Sequence, residues 1–160
     1  MNSQLDQAVR MCLSGRSRSL IRMLSILKKD MDWKLTERLQ QRGYHDFKMG
    51  DMVLIANILP EGTINNELAK KARITKQAMS KVVKNLEASG YILTRKHETD
   101  NRATVIFLSD KGKQLFVAAT ECIQEIQSTY TAVIGEADTE TLKNILTKLL
   151  AEIYPEFNNV

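Results

Sequence analysis

Residues 68–84 read LAKKARITKQAMSKVVK, and their spacing decides the fold. Leu68 and Ala69 pack a first short helix, Ile74 plugs a turn, and Met79 and Val82 anchor a second helix. That is helix-turn-helix spacing. The small side chain of Ala69 lets the two helices approach closely. Anchoring one face of the second helix leaves another free, and the free face carries Lys76, Gln77, Ser80, Lys81 and Lys84. These groups donate to phosphates, and Gln or Ser also reads base edges. Gln77, Ser80, Lys81 and Lys84 lie about one turn apart and point the same way. A basic helix face is often only solvated. Here the turn spacing, the one-sided donors and a basic segment directly after it favour a DNA-reading helix.

Working outward, a helix is expected over 66–72, a turn through Ala72-Arg73-Ile74, and a helix over 75–89 with Thr75 as its N-cap. Its buried stripe is Ala78, Met79, Val82, Val83 and Leu86, and Ser89-Gly90 ends it. Tyr91–Lys96 and Thr104–Leu108 are rich in β-formers around the polar stretch His97–Ala103, which reads as an antiparallel hairpin. The hairpin adds Arg95, Lys96, His97 and Arg102. Asp100, two residues before Arg102, can brace the guanidinium. A braced arginine at a hairpin tip suits a narrow, electronegative minor groove; a turn-stabilising Asp–Arg pair is the plainer reading.

The flanks are helical. A long helix is expected over 13–42, striped by Leu20, Leu24, Leu27, Met31, Leu35 and Leu39 and stopped at Gly43. A short helix follows over 48–58, capped by Asp46. Its Met52–Ala56 run is apolar nearly all round and should be buried. After a Ser109 cap, a helix over 110–134 carries Leu115, Phe116, Ala119, Ile123, Ile126, Tyr130 and Val133. Gly135 interrupts, and Asp138-Thr139-Glu140 opens a last helix with Leu142, Ile145, Leu146, Leu149, Leu150 and Ile153, ended by Pro155. The order is α-α-α-α-β-β-α-α, a mainly α fold with a small β hairpin. The long terminal stripes exceed what the central module can cover. They are expected to pack on each other and on a second copy of the chain; a monomeric bundle is the alternative.

Composition agrees. The 160 residues are 43% hydrophobic and 26% charged, with only 2 prolines, which excludes a disordered or fibrous chain. The formal net charge of +4 divides as +4, +5 and −5 over 1–60, 61–113 and 114–160. A basic body suits a polyanion. No secretory signal or membrane span is expected, which places the protein in the cytoplasm. There is no phosphate loop, nucleophile elbow, dinucleotide fingerprint or metal-ligand spacing. No catalytic residue, metal or cofactor is therefore expected. A winged-helix module that binds protein instead of DNA is the rival reading, disfavoured by the cationic face.

Residues 63–116 resemble the winged helix-turn-helix of the multiple-antibiotic-resistance-regulator (MarR) family of bacterial transcription factors. Asp100-Asn101-Arg102 matches its Asp-x-Arg wing motif, and Leu108-Ser109-Asp110-Lys111-Gly112 is similar to its Leu-Thr-x-x-Gly junction. Leu86-Glu87-x-x-Gly90-Tyr91-Ile92 matches the end of its recognition helix. Arg73, where many such turns have Gly, and Ser109 for Thr are departures. The resemblance implies a homodimer of triangular shape on double-stranded DNA, with a recognition helix in each major groove and a wing in the flanking minor groove. It implies helix contacts from Thr75, Gln77, Ser80, Lys81 and Lys84, and a wing contact from Arg102 braced by Asp100. Residues 1–47 and 113–160 would dimerise and 48–112 would read DNA.

The resemblance also implies control by a small aromatic or anionic effector, or by thiol oxidation. Trp33, Tyr44, His45 and Phe47, with Arg18 and Arg22 further up the first helix, could hold such an effector, although core and surface roles are the simpler reading. Cys12 lies near Arg10 and Arg16 and is the better sensor thiol. Cys122 lies beside Glu121 and the apolar stripe and reads as structural.

Overall fold

The structure, a computed structural model, describes residues 3–72, 74–97, 99 and 103–154. The helix expected over 13–42 begins late, as α2, Leu20–Gln41, and a helix the sequence reading did not expect, α1, Ser3–Ser14, precedes it. The break falls in the Ser-Gly-rich run 14–19. The Ser14 hydroxyl donates to the Met11 carbonyl at 2.7 Å, a single 3-10 turn spans Arg16–Arg18, and Ser19 is extended before α2 restarts. Serine and glycine offer the backbone alternatives to the helical ladder, and here they win.

Helix α2 ends as the sequence predicts. Gly43 takes φ +94°, its N–H donates to the Gln40 carbonyl, and the Tyr44 N–H donates to the Leu39 carbonyl. This is a Schellman motif. The next helix is shorter than expected. A 3-10 turn over Met49–Asp51 leads into α3, Met52–Ile55. Leu54 and Ile55 are buried, whereas Val53 and Ala56 are exposed. Asp46 does not cap this segment: Lys48 holds the cap position without a side-chain bond, and the Asp46 carboxylate is engaged elsewhere.

A two-residue strand that the sequence did not announce, β1 (Thr63–Ile64), precedes α4, Asn65–Ala72. Helix α5, Lys76–Ala88, begins at Thr75, whose Oγ1 accepts from the Ala78 N–H at 3.1 Å. It ends in a second Schellman motif, with Gly90 at φ +75° and N–H bonds from Gly90 to Glu87 and from Tyr91 to Leu86. Strands β2 (Ile92–Lys96) and β3 (Thr104–Leu108) form the expected hairpin. Their register pairs Ile92 with Leu108 and Lys96 with Thr104. The whole sheet is antiparallel in the order β1-β3-β2, with Thr63 opposite Ile106.

The chain divides into two compact units, Met1–Thr120 and Glu121–Val160. Helix α6, Asp110–Ile134, runs through the division, and α7, Glu136–Ile153, starts two residues earlier than expected. In the first unit Leu39, Leu54, Ile55, Leu68, Met79, Leu86, Tyr91, Ile92, Ile106 and Leu115 are almost fully buried. Each large aliphatic group in such a core contributes roughly 1.5–3 kcal/mol relative to exposure. Met79, Val83 and Leu86 are the buried face of α5 and Val82 is half-buried, but Ala78 is exposed, contrary to its place in the expected stripe. In the second unit Cys122 and Ile126 are buried, and the Thr139 hydroxyl donates to the Gly135 carbonyl at 2.8 Å across the α6–α7 turn.

The junction from β3 to α6 fixes the end of α5 against the hairpin. The Ser109 hydroxyl donates to the Gly90 carbonyl at 2.6 Å and accepts the Gly112 N–H at 3.0 Å. The Ser109 N–H donates to the Tyr91 carbonyl. A Cβ on Gly112 would overlap that same Tyr91 carbonyl oxygen. Gly112→Ala is therefore expected to lose about 2–3 kcal/mol of unfolding free energy, the cost of forcing packed backbones apart, measured by urea denaturation. An unchanged midpoint would remove the close approach from the account.

Candidate nucleic-acid interface

Helix α5 holds its donors as the sequence predicts. Lys76, Gln77, Ser80, Lys81 and Lys84 are all exposed. No carboxylate among the described residues pairs with the three lysines. Two hydroxyls already have local work. Thr75 caps the helix, and the Ser80 hydroxyl donates to the Lys76 carbonyl at 2.9 Å. Gln77, Lys81 and Lys84 therefore have the freest ends. The Thr94 hydroxyl donates to Glu87 at 2.5 Å, tying the last turn of α5 to the hairpin.

On the hairpin, Arg95 and Lys96 are exposed. The Arg95 guanidinium lies 5.3 Å from the Phe107 ring centre, a cation–π contact that limits its reach. A cleft of about 380 Å³ beside the hairpin is lined by Arg95, Lys96, His97 and Phe107 together with Glu61 and Gly62. Asp100, Asn101 and Arg102, the expected wing tip, lie outside the described residues, as does Arg73 of the turn.

The sequence reading missed one cationic feature. Across the helix-turn-helix turn, Asn66, Ala69, Lys70, Ile74 and Lys76 line a cleft of about 410 Å³. Asn66 and Lys70 are one turn apart on α4, and that spacing was the available signal.

The expected effector residues are not gathered. Trp33 lines a groove of about 700 Å³ between α2 and α3, with Lys28, Asp32, Met49, Met52 and Val53. Phe47 instead packs edge-on against Tyr91, with ring centres 5.4 Å apart. Neither Tyr44, His45, Arg18 nor Arg22 lines that groove; His45, Arg18 and Arg22 are exposed. Cys12 is exposed on α1 and Cys122 is buried.

Behind the C-terminal end of α5 sits a polar knot. The fully buried Tyr91 ring sends its hydroxyl to Asp46 Oδ1 at 2.5 Å. Lys111 Nζ donates to Asp46 Oδ2 at 2.7 Å and to the Ser89 carbonyl at 3.0 Å, and lies 4.1 Å from the Tyr91 ring centre. The bonds from Lys111 and then Tyr91 hold the Asp46 carboxyl below its ordinary range. Burial, and then the bond to Asp46, pushes the Tyr91 hydroxyl well above its own.

A depressed carboxyl stabilises the fold above the unfolded value of about 3.9 and loses that contribution as pH falls. A raised phenol stabilises it below about 10 and loses that contribution as pH rises. The knot is therefore intact across neutral pH. Because both charges are about half exposed, the pair itself contributes at most about 1 kcal/mol. The melting difference between wild type and Asp46→Asn should be small and constant from about pH 5 to 9 and should close below about pH 4. A difference that widens on acidification would contradict this.

Residues 53–104 match the model of the MarR family. These residues span α3, both helices of the helix-turn-helix and the hairpin up to the start of β3. A relative, the HTH-type transcriptional regulator FarR of Neisseria gonorrhoeae, is 24% identical over 120 residues, 75% of this chain and 70% of its own. Among solved structures, a MarR transcriptional regulator from Methanosarcina mazei shares the fold with a TM-score of 0.71 at 18% identity, covering 82% of this chain and 93% of that one. MepR of Staphylococcus aureus, in complex with DNA, does so with a TM-score of 0.69 at 24% identity, covering 84% and 98%. The first two are named as transcriptional regulators. The stretch 53–104 thus resembles the MarR family in sequence, and most of the chain shares the fold of solved structures that include a MarR transcriptional regulator and a DNA complex.

Proposed function

We propose that the protein binds a pseudo-palindromic operator as a homodimer, represses by occupying the promoter, and is released by a small aromatic or anionic effector. The exposed, uncompensated cationic face of α5 carries this reading. Gln77 reads base edges, while Lys76, Lys81 and Lys84 hold phosphates, with Thr75 and Ser80 at the helix surface. Arg95 and Lys96 support the hairpin against the flanking backbone, and Arg102, braced by Asp100, enters the minor groove. Asn66 and Lys70 join Lys76 on the backbone at the turn. The MepR–DNA complex is the parallel among relatives. Residues 48–112 read DNA, and 1–47 with 113–160 dimerise. The protein works where the DNA is, in the cytoplasm; no described helix is long and apolar enough to cross a membrane.

The terminal helices support dimerisation. Leu5, Val9 and Leu13 on α1, and Leu20, Ile21, Leu24 and Leu27 on α2, are exposed, Ile21 by 79%. Leu142, Ile145, Leu149 and Ile153 repeat the pattern on α7. Such stripes in water mark a missing partner. The Trp33 groove, with its indole and methionine walls, suits the aromatic part of an effector; its Lys28 ammonium is paired with Asp32. The exposed Cys12 is the residue through which an oxidant would act instead.

Binding to the duplex immediately upstream of the chain's own gene, followed by fluorescence anisotropy against a scrambled duplex, tests the reading. Wild type should prefer the operator by ~10³-fold or more. Gln77→Ala should lose about 1–3 kcal/mol on the operator alone. Lys84→Ala and Arg102→Ala should weaken both duplexes and lower the salt slope by about 1 each. Equal binding to both duplexes, or wild-type behaviour of all three variants, would defeat it. Separately, Leu24→Glu and Ile145→Glu should each convert a sedimenting dimer to monomer; a wild-type chain that sediments as a monomer at micromolar concentration would refute the dimer.

A further inference from the structure

The knot around Asp46 has a geometry that stability alone does not explain. Asp46 sits in the loop between α2 and α3, 45 residues from Tyr91 and 65 from Lys111. Its two carboxylate oxygens take one bond each, one from the start of the hairpin and one from the first turn of α6. The Lys111 ammonium that it holds also reaches the Ser89 carbonyl at the C-terminal end of α5. A cation there is favourably placed against the helix dipole. Phe47, the next residue, braces the same Tyr91 ring. The loop thus grips the end of the reading helix through two adjacent side chains, and none of these groups belongs to the cationic face of α5.

The lever arm matters. A helix of α5's 13 residues is ~20 Å long, so a tilt of ~5° at its C-terminal end moves its N-terminal end by ~1.7 Å. That shift is enough to break a hydrogen bond from Gln77 to a base edge. It is not enough to lose a lysine's attraction to a phosphate, which is long-ranged and tolerant of angle. Holding the end of α5 therefore governs sequence discrimination more than affinity for DNA in general.

We propose that Asp46 is a positioning residue for sequence-specific DNA reading, acting through Lys111 and Tyr91 to set the angle of α5. This rests on the DNA-binding reading above. The half-exposed ion pair contributes little to stability, so the substitution leaves a folded protein to test.

Asp46→Asn separates position from charge because the two predict opposite signs. Removing a negative charge should, by Coulomb attraction alone, tighten binding to any duplex. Loss of positioning should loosen the operator complex while leaving the scrambled complex unchanged or tighter. The experiment is anisotropy with the full chain on the upstream operator and its scrambled counterpart, beside thermal melting. Tyr91→Phe is the second variant: it keeps the ring and the net charge and removes only the bond to Asp46. The expected result is a five- to tenfold fall in the operator-to-scrambled affinity ratio for Asp46→Asn and a fall of about threefold for Tyr91→Phe. An unchanged ratio in Tyr91→Phe, or operator and scrambled affinities that rise together in Asp46→Asn, overturns the proposal while leaving DNA reading intact. A wild-type protein that shows no preference for the operator overturns both.

Discussion

The backbone of Gly112 lies against the carbonyl of Tyr91, and the placement of α5 against the hairpin depends on that approach. Tyr91 is the residue at which α5 has just ended and the hairpin is about to begin. Its N–H closes the Schellman motif of α5, its carbonyl accepts the Ser109 N–H, its ring fills the core and its hydroxyl reaches Asp46. Any side chain at 112 would separate α6 from this point. With glycine there, α6 starts directly behind the end of α5, and the exposed lysines stand on a helix whose far end is held by backbone and side chain together.

Stability and function are distributed differently over the chain. The first unit buries a compact aliphatic core around Leu39, Leu54, Ile55, Met79, Ile92 and Ile106. The terminal helices keep much of their apolar surface in water, as with Val133, which is 82% exposed. Burying several such stripes in a second copy recovers free energy at roughly 25 cal/mol per Å². A dimer would also hold two recognition helices at a fixed separation, which is what a pseudo-palindromic site requires.

Local signals in the sequence were legible where a few neighbouring residues decide the structure. Thr75 as a cap, Gly43 and Gly90 as helix stops, the Met79–Leu86 stripe and the Tyr91–Leu108 hairpin are all of this kind. The signals failed where competition or distance decides. The Ser-Gly-rich run 14–19 delays the start of α2, and α1 ahead of it carries only a short Leu5-Val9-Leu13 pattern. β1 has two residues and no periodicity, and it exists only because β3 offers an edge. Ala78 sits on the boundary of the buried face, where spacing alone cannot assign it. Asp46 resembled a helix cap because its true partners, Tyr91 and Lys111, lie far along the chain. The residues expected to hold an effector are neighbours in sequence, but Phe47 turns onto Tyr91 while Trp33 faces a groove on α2.

The central claim is that the free face of α5 reads a two-fold DNA sequence. The most direct test is selection by the purified full-length protein from a pool of duplexes randomised over about 30 base pairs, with no operator assumed. The account predicts enrichment of one inverted repeat whose half-sites are centred about one helical turn apart, 10–10.5 base pairs or a multiple of it, and loss of that enrichment with Gln77→Ala. A pool that stays random under conditions where the protein binds DNA, or a selected site without two-fold symmetry, would contradict it.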